Sequence, residues 1–327
     1  MRPFAYARAQ SADAAIAAMA QDARAAFLAG GTNIVDLIKL DVAQPGTLID
    51  IGALPLAAIE VATDGSVRIG ALARMSDTAD HTAVRSGAPC VAMALNLSAS
   101  AQLRNMASIG GNVLQRTRCV YFRDVTQPCN KRQPGSGCSA IGGDDRKMAI
   151  FGANDRCIAV NPSDFSVAML TTDATIHLRG PAGERTTPFL GFQRLPDDPA
   201  LDTNIVRGEL ITAISFMPTA LTRNSTYLKV RDRASYEFAL VSVAAALDVR
   251  NGTIHDARVA LGGVAHAPWR ARAAEAALIG KPAVRATFAA AADAELRAAK
   301  PQRLNGFKVV MAKNAMVRAL GTLGGAA

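Results

Sequence analysis

Ala26-Phe27-Leu28-Ala29-Gly30-Gly31-Thr32-Asn33-Ile34 passes from an apolar strand pattern into a helical one across two glycines and two hydrogen-bonding side chains. Paired glycines allow turns and close approaches that a β-carbon forbids. A helix opening just beyond them offers free N–H groups to an anion such as a phosphate. Thr32 and Asn33 supply a hydroxyl and an amide suited to capping or to phosphate hydrogen bonds. The spacing alone is also compatible with an ordinary strand-to-helix turn. A second segment repeats the theme: Arg104-Asn105-Met106-Ala107-Ser108-Ile109-Gly110-Gly111-Asn112. Neither is a GxGxxG fingerprint or a Walker loop, which argues against a doubly wound dinucleotide domain.

Working outward, three blocks emerge. Residues 1–55 predict strand, helix, strand, helix, strand, at Phe4–Ala7, Ser11–Ala20, Ala26–Ala29, Ile34–Leu40 and Thr47–Ile51. Residues 56–220 open with a predicted hairpin, Ala58–Ala62 and Val67–Ala71 about Asp64-Gly65, then helical stretches at Ser76–Arg85 and Cys90–Ala99. Residues 221–327 predict a strand at Tyr227–Val230, an apolar helix or strand over Phe238–Val249, and a turn at Asn251-Gly252. A strand at Ala257–Gly262 and alanine-rich helices from Ala271 follow. Within the apolar run, Phe238–Leu247 reads as a core helix, far short of the roughly 20 residues of a membrane span. Strands and helices mix without regular βαβ alternation, so the predicted fold class is α+β.

Half of the 327 residues are apolar and 19% are charged, which suits a globular chain of two or three domains. The formal charge of +9 comes from 36 basic against 27 acidic residues. The basic residues are scattered; the densest runs are Arg116–Arg118, Lys131–Arg132 and Arg231–Arg233. Without clustered aromatics this excludes nucleic acid as the main partner and suits an anionic cofactor or an acidic protein. Met1–Gln10 has neither an apolar core nor twin arginines, so no export signal of its own is expected.

Between Arg116 and Gly152 the chain loses all periodicity, and a structureless stretch of that length is usually functional or disordered. Four of the five cysteines, Cys119, Cys129, Cys138 and Cys157, fall in or just after it, at separations of ten, nine and nineteen. Disulfides, a zinc site and an iron–sulfur cluster all remain open on spacing alone. Cys90, in an apolar helical stretch, reads as a buried structural thiol. His81, His177, His255 and His266 are scattered and read as surface or structural residues.

The two glycine segments, taken in order with Pro162-Ser163-Asp164, Gly208-Glu209-Leu210-Ile211, Lys229–Leu240 and Leu261-Gly262-Gly263-Val264-Ala265, resemble the FAD-binding subunits of the xanthine dehydrogenase (molybdenum hydroxylase) family. The resemblance spans nearly the whole chain. It implies a two-lobed α+β FAD-binding domain followed by a smaller α+β C-terminal domain. It also implies that residues 26–34 (Ala26, Phe27, Leu28, Ala29, Gly30, Gly31, Thr32, Asn33, Ile34) and Ser108, Gly110, Gly111 and Asn112 hold the diphosphate and adenosine end of FAD. Asp164, Ile211 and Lys229 would lie nearer the flavin. On the residues alone, Asp164 reads as a helix cap and Lys229 as a solvated strand lysine.

Most members lack a cysteine-rich insertion before the Pro-Ser-Asp segment. The wording here, Arg118-Cys119, Cys129-Asn130-Lys131-Arg132 and Pro134–Cys138, resembles the aldehyde-oxidising, periplasmic branch. That likeness implies a 4Fe–4S cluster on Cys119, Cys129, Cys138 and Cys157, in an insertion of about residues 116–157. The partners implied are a large subunit with the molybdenum cofactor and a small subunit with 2Fe–2S clusters. The complex would be exported to the periplasm on a partner's signal, with the cytoplasm as the alternative location. Related hydroxylases, aromatic-CoA reductases and a metal-stabilised binding module without redox function are the rival readings.

Overall fold

The computed structural model describes residues 1–324 and contains three separate sheets. The first is parallel: β1 (Ala5–Arg8), β2 (Ala26–Leu28) and β3 (Thr47–Asp50), in the order β1-β3-β2. The helices Ala12–Gln21 and Ile34–Lys39 make its crossovers, as parallel strands require. Ser11 starts the first helix by accepting the Ala14 N–H at 3.1 Å. Ile49, Ala15, Met19 and Leu54 form the small core beneath this sheet.

The second sheet is antiparallel: β4 (Ile59–Val61), β5 (Val67–Gly70), β6 (Thr175–Gly180), β7 (Gly183–Pro188) and β8 (Leu210–Phe216), in the order β4-β5-β8-β6-β7. The helices Pro89–Leu97 and Asp164–Met169 share its core, which gathers Ile69, Leu95, Phe165, Ile176 and Ile214. The stretch expected as one helix over Ser76–Arg85 is two, Met75–Asp80 and Thr82–Gly87, because His81 adopts an extended conformation (φ −65°, ψ 126°).

The third sheet is β9 (Ser225–Val230), β10 (Val241–Arg250), β11 (Thr253–Gly262) and β12 (Trp269–Arg270), ordered β12-β11-β10-β9 and antiparallel. Here the expected core helix over Phe238–Leu247 is corrected: most of it is the central strand β10. Its two faces are both covered. Val243, Ala245 and Leu247 join the C-terminal core, whereas Ala244 joins the core of the second sheet. A strand buried on both faces shows no polar alternation, so its periodicity resembles that of a buried helix. The Asn251-Gly252 turn forms as expected, with φ of 50° and 75°, and joins β10 to β11.

Residues 116–157 remain largely irregular, with one short helix, Val120–Arg123, and an isolated antiparallel β-bridge that pairs the backbones of Cys129 and Cys138. Side chains hold the insertion instead. Thr117 Oγ1 donates to the Val160 carbonyl at 2.9 Å, and the Arg132 guanidinium donates to the carbonyls of Tyr121, Phe122 and Gln127. From the C-terminal helix, the fully buried Lys308 donates to the carbonyls of Lys147, Met148 and Gly263 at 2.8, 2.9 and 2.8 Å. No helix among the described residues is long and apolar enough to cross a membrane.

Candidate cofactor-binding site

The first glycine segment leaves β2 and turns at Gly31, whose φ of +74° lies in the left-handed region that L side chains rarely occupy. Gly30 is constrained differently. A β-carbon there would sit 1.8 Å from the carbonyl oxygen of Met106, so the first loop packs directly on the backbone of the second. The second loop is in turn laced to the end of β5: Ile109 N–H donates to Ala73 O at 2.9 Å and Gly110 N–H to Ala71 O at 2.8 Å. A β-carbon on Gly110 would press on Ala71 at 3.1 Å. Thus Gly30 and Gly110 join the loops to the protein, while Gly31 shapes the turn itself. Ser108 caps the helix Ile109–Val113 by accepting the Gly111 N–H at 3.3 Å.

The remaining predicted residues fall into separate hydrogen-bonded groups and the apolar core. Asn33 Oδ1 accepts the Arg116 N–H at 3.1 Å, tying the first loop to the insertion. Asn112 is buried and accepts from Ser163 Oγ at 2.6 Å, tying the second loop to the Pro-Ser-Asp segment. Ser163, not Asp164, caps the helix Asp164–Met169. The Asp164 carboxylate is instead buried and accepts from Ser98 Oγ at 2.9 Å, Tyr227 OH at 2.7 Å and Lys229 Nζ at 2.7 Å. Lys229 is not solvated either, its side chain being 1% exposed. Burial and the Asp164 charge together push the Tyr227 phenol well above its ordinary pKa, so it remains a donor. Ile211 on β8 lies in the apolar core of the second sheet. Two buried donors near the first loop lack protein partners among the described residues, Asn33 Nδ2 and Arg118 Nη1. Orphaned donors beside a left-handed glycine turn fit an acceptor-rich cofactor such as FAD.

Cys119, Cys129, Cys138 and Cys157 line one small pocket together with Tyr121, Phe122 and Lys131. None is in a disulfide. Burial, reinforced by the sulfurs of Cys129 and Cys157, pushes the Cys119 thiol up to about 11. Burial raises Cys157 as well, opposed by the nearby Lys131 ammonium. Thiols so placed ionise only when a positive centre joins them. Among the described residues no three such side chains are gathered tightly enough to hold a single metal ion. Cys90 lies apart, fully buried in the second core with Sγ 3.3 Å from Thr171 Oγ1, as expected for a structural thiol.

The pocket wall contains a buried polar group absent from the sequence reading. Lys131 Nζ contacts Asp202 Oδ1 at 2.6 Å, the Pro199 carbonyl at 2.8 Å and His266 Nε2 at 2.7 Å. His266 Nδ1 faces the Arg194 carbonyl at 2.8 Å, which fixes the neutral tautomer with its proton on Nδ1. Burial first, then the Lys131 charge, lowers the His266 pKa to about 4. The native state therefore holds fewer protons than the unfolded chain between pH 4 and the ordinary histidine value. Stability from His266 is complete above about pH 6.5 and is lost as the pH falls to 4, a change on the order of 3 kcal/mol. Urea midpoints across that range should fall with acid in the parent and fall less in His266→Gln; parallel curves would refute this assignment.

Two family models match. Residues 2–219 match the FAD binding domain in molybdopterin dehydrogenase, and residues 226–323 match the CO dehydrogenase flavoprotein C-terminal domain. The chain is 45% identical to the aldehyde oxidoreductase FAD-binding subunit PaoB of Escherichia coli (strain K12), over 98% of each chain. It is 30% identical to the glyceraldehyde dehydrogenase medium chain of Sulfolobus acidocaldarius, over 85% of this chain and 82% of that one. Among solved structures, carbon monoxide dehydrogenase from Hydrogenophaga pseudoflava matches with a TM-score of 0.77 and 27% identity, covering 100% and 99% of the two chains. The coupled glycine loops, the α+β architecture and both matched domains agree, and the chain belongs to the FAD-binding subunits of the molybdenum hydroxylase family of oxidoreductases.

Proposed function

We propose that this chain is the FAD- and 4Fe–4S-containing electron-transfer subunit of a molybdenum-dependent aldehyde oxidoreductase complex. The observation that carries the cluster reading is the meeting of four unpaired thiols at one pocket, drawn from a largely irregular segment. A four-iron cluster uses one thiolate per iron, so its ligands surround a volume instead of closing on a point. The likeness to an aldehyde oxidoreductase subunit and to a glyceraldehyde dehydrogenase chain supports an aldehyde as substrate. Oxidation to the carboxylic acid would occur on a large molybdenum subunit, and a small 2Fe–2S subunit would deliver the electrons here. FAD, when bound, accepts those electrons and passes them to an external acceptor.

In this reading residues 26–34, Ser108, Gly110, Gly111 and Asn112 hold the diphosphate and adenosine end. Asp164, Ile211 and Lys229 hold the flavin end, with the Asp164–Lys229 pair fixing local charge. The division at 55/56 and 220/221 is supported by each sheet lying within one block. Export of the folded complex on a partner's signal would let the cluster form before the thiols meet an oxidising compartment. Fractionation of cells with and without the small subunit separates this from a cytoplasmic complex.

The isolated chain should show flavin absorption bands over a broad sulfur-to-iron shoulder. Iron and sulfide should be lost in Cys→Ser variants at 119, 129, 138 and 157 and retained in Cys90→Ser. Full iron in Cys138→Ser, or loss confined to Cys90→Ser, would overturn the ligand assignment. A colourless protein would overturn the redox reading.

A further inference from the structure

Arg118 immediately precedes the first cysteine of the insertion, and neither the flavin nor the cluster assignment uses its side chain. Its side chain is only 22% exposed, and Nη1 is buried without a hydrogen-bond partner among the described residues. The nearest carboxylate, Asp36, is 3.8 Å away and already takes both arms of Arg123 at 2.7 and 2.9 Å. Nη2 reaches only Gln115 Oε1, at 3.5 Å. One face of the guanidinium lies over the Phe238 ring, 5.1 Å from its centroid, which fixes its plane without satisfying its donors. A cation withdrawn from water with a free donor is costly unless an anion joins it.

The position of Arg118 indicates which anion. Asp36 lies in the first turn of the helix Ile34–Lys39, which begins where the Gly30-Gly31 turn ends. Asn33, the residue before that helix, binds the Arg116 backbone through Oδ1 and leaves its own Nδ2 buried and unpartnered. Gln115, the other neighbour of Arg118, donates to Asn112 of the second glycine loop at 3.1 Å. The two free donors thus lie beside residues of the two glycine loops, and the charge around Asp36 is positive, with Arg118, Arg123 and Lys39 set against it.

We propose that Arg118 is a ligand-binding residue for the diphosphate of FAD, extended into the flavin site from the cysteine insertion. This rests on the FAD reading above. The diphosphate is the anionic part of oxidised FAD, and a planar guanidinium offers it paired donors in fixed geometry. The insertion then serves two cofactors from adjacent residues, Arg118 for one and Cys119 for the other.

The test uses the full chain freed of FAD, with iron per chain measured in every sample. FAD is titrated into the parent, Arg118→Met and Arg118→Lys, and ADP, which shares the diphosphate, is used as a competitor. Arg118→Met should weaken both FAD and ADP tenfold or more with iron unchanged, and Arg118→Lys should recover part of the loss. FAD affinity within twofold of the parent in Arg118→Met would overturn the proposal. So would a loss for FAD that ADP does not share, or one that tracks lost iron, since the arginine would then act elsewhere. A parent chain that binds no FAD would defeat the flavin reading itself.

Discussion

Gly30→Ala should cost about a hundredfold in FAD affinity, roughly 3 kcal/mol, while leaving most of the fold in place. The added β-carbon would lie 1.8 Å from the Met106 carbonyl oxygen and 2.7 Å from its carbon. Backbone cannot rotate aside as a side chain can, so the two loops must separate. Their separation would move Thr32 and Asn33 away from Ser108 and Asn112, the residues assigned to one diphosphate. Gly31→Ala is the informative comparison. It meets only the Val35 and Leu28 side chains, at 3.2 and 3.5 Å, and its cost is that of the left-handed conformation at φ +74°, about 1–2 kcal/mol. Flavin fluorescence titrations with circular dichroism as the folding control measure both. Parental affinity in Gly30→Ala would mean that the loops do not form one site.

Lys229→Met should destabilise the chain by about 3–5 kcal/mol, the usual consequence of stripping one partner from a buried ion pair. Lys229 and Asp164 have side chains 1% and 5% exposed, joined at 2.7 Å. The abandoned carboxylate would keep Ser98 and Tyr227 as donors but lose its counter-charge. The double variant Asp164→Leu/Lys229→Met should regain much of the loss, because it removes the buried charge as well. Urea unfolding of both variants tests the pair. Additive losses would show that the two side chains are not coupled.

The sequence showed most clearly what is set by neighbouring residues. Ser11 marked the first helix, Asn251-Gly252 marked the turn before β11, and the glycine pairs marked two loops that pack on each other. Elements set by distant contacts were hidden. β10 resembled a helix because two different cores cover its faces. β6 and β7 are strands largely through pairing with each other and with β8, in a region where Thr175, His177, Thr186 and Thr187 dilute the apolar pattern. The four cysteines were grouped by resemblance, but their spacing did not show how they meet, since Cys157 reaches Cys119 through pairings such as Thr117 with Val160 and Ala149 with Ile158. Arg118, Lys131 and Lys308 look like any surface cations in sequence. Their burial is known only once the insertion is folded over them.

Lys308 also sets an order of events. The second half of the insertion is completed by residues near the end of the chain. Lys308 holds the carbonyls of Lys147 and Met148, Asn305 Nδ2 donates to Met148 at 3.0 Å, and the Leu304 N–H donates to Asp145 at 2.7 Å. During synthesis, about 150 residues must be added after Cys157 before these contacts can exist, some seconds to half a minute at ordinary elongation rates. Through that interval the four thiols lie in a loop that still lacks its C-terminal contacts. Arrival of the last helix closes the loop from behind; under the proposed cluster assignment, ribosome-bound chains truncated before Asn305 should take up iron reversibly and full-length chains should retain it.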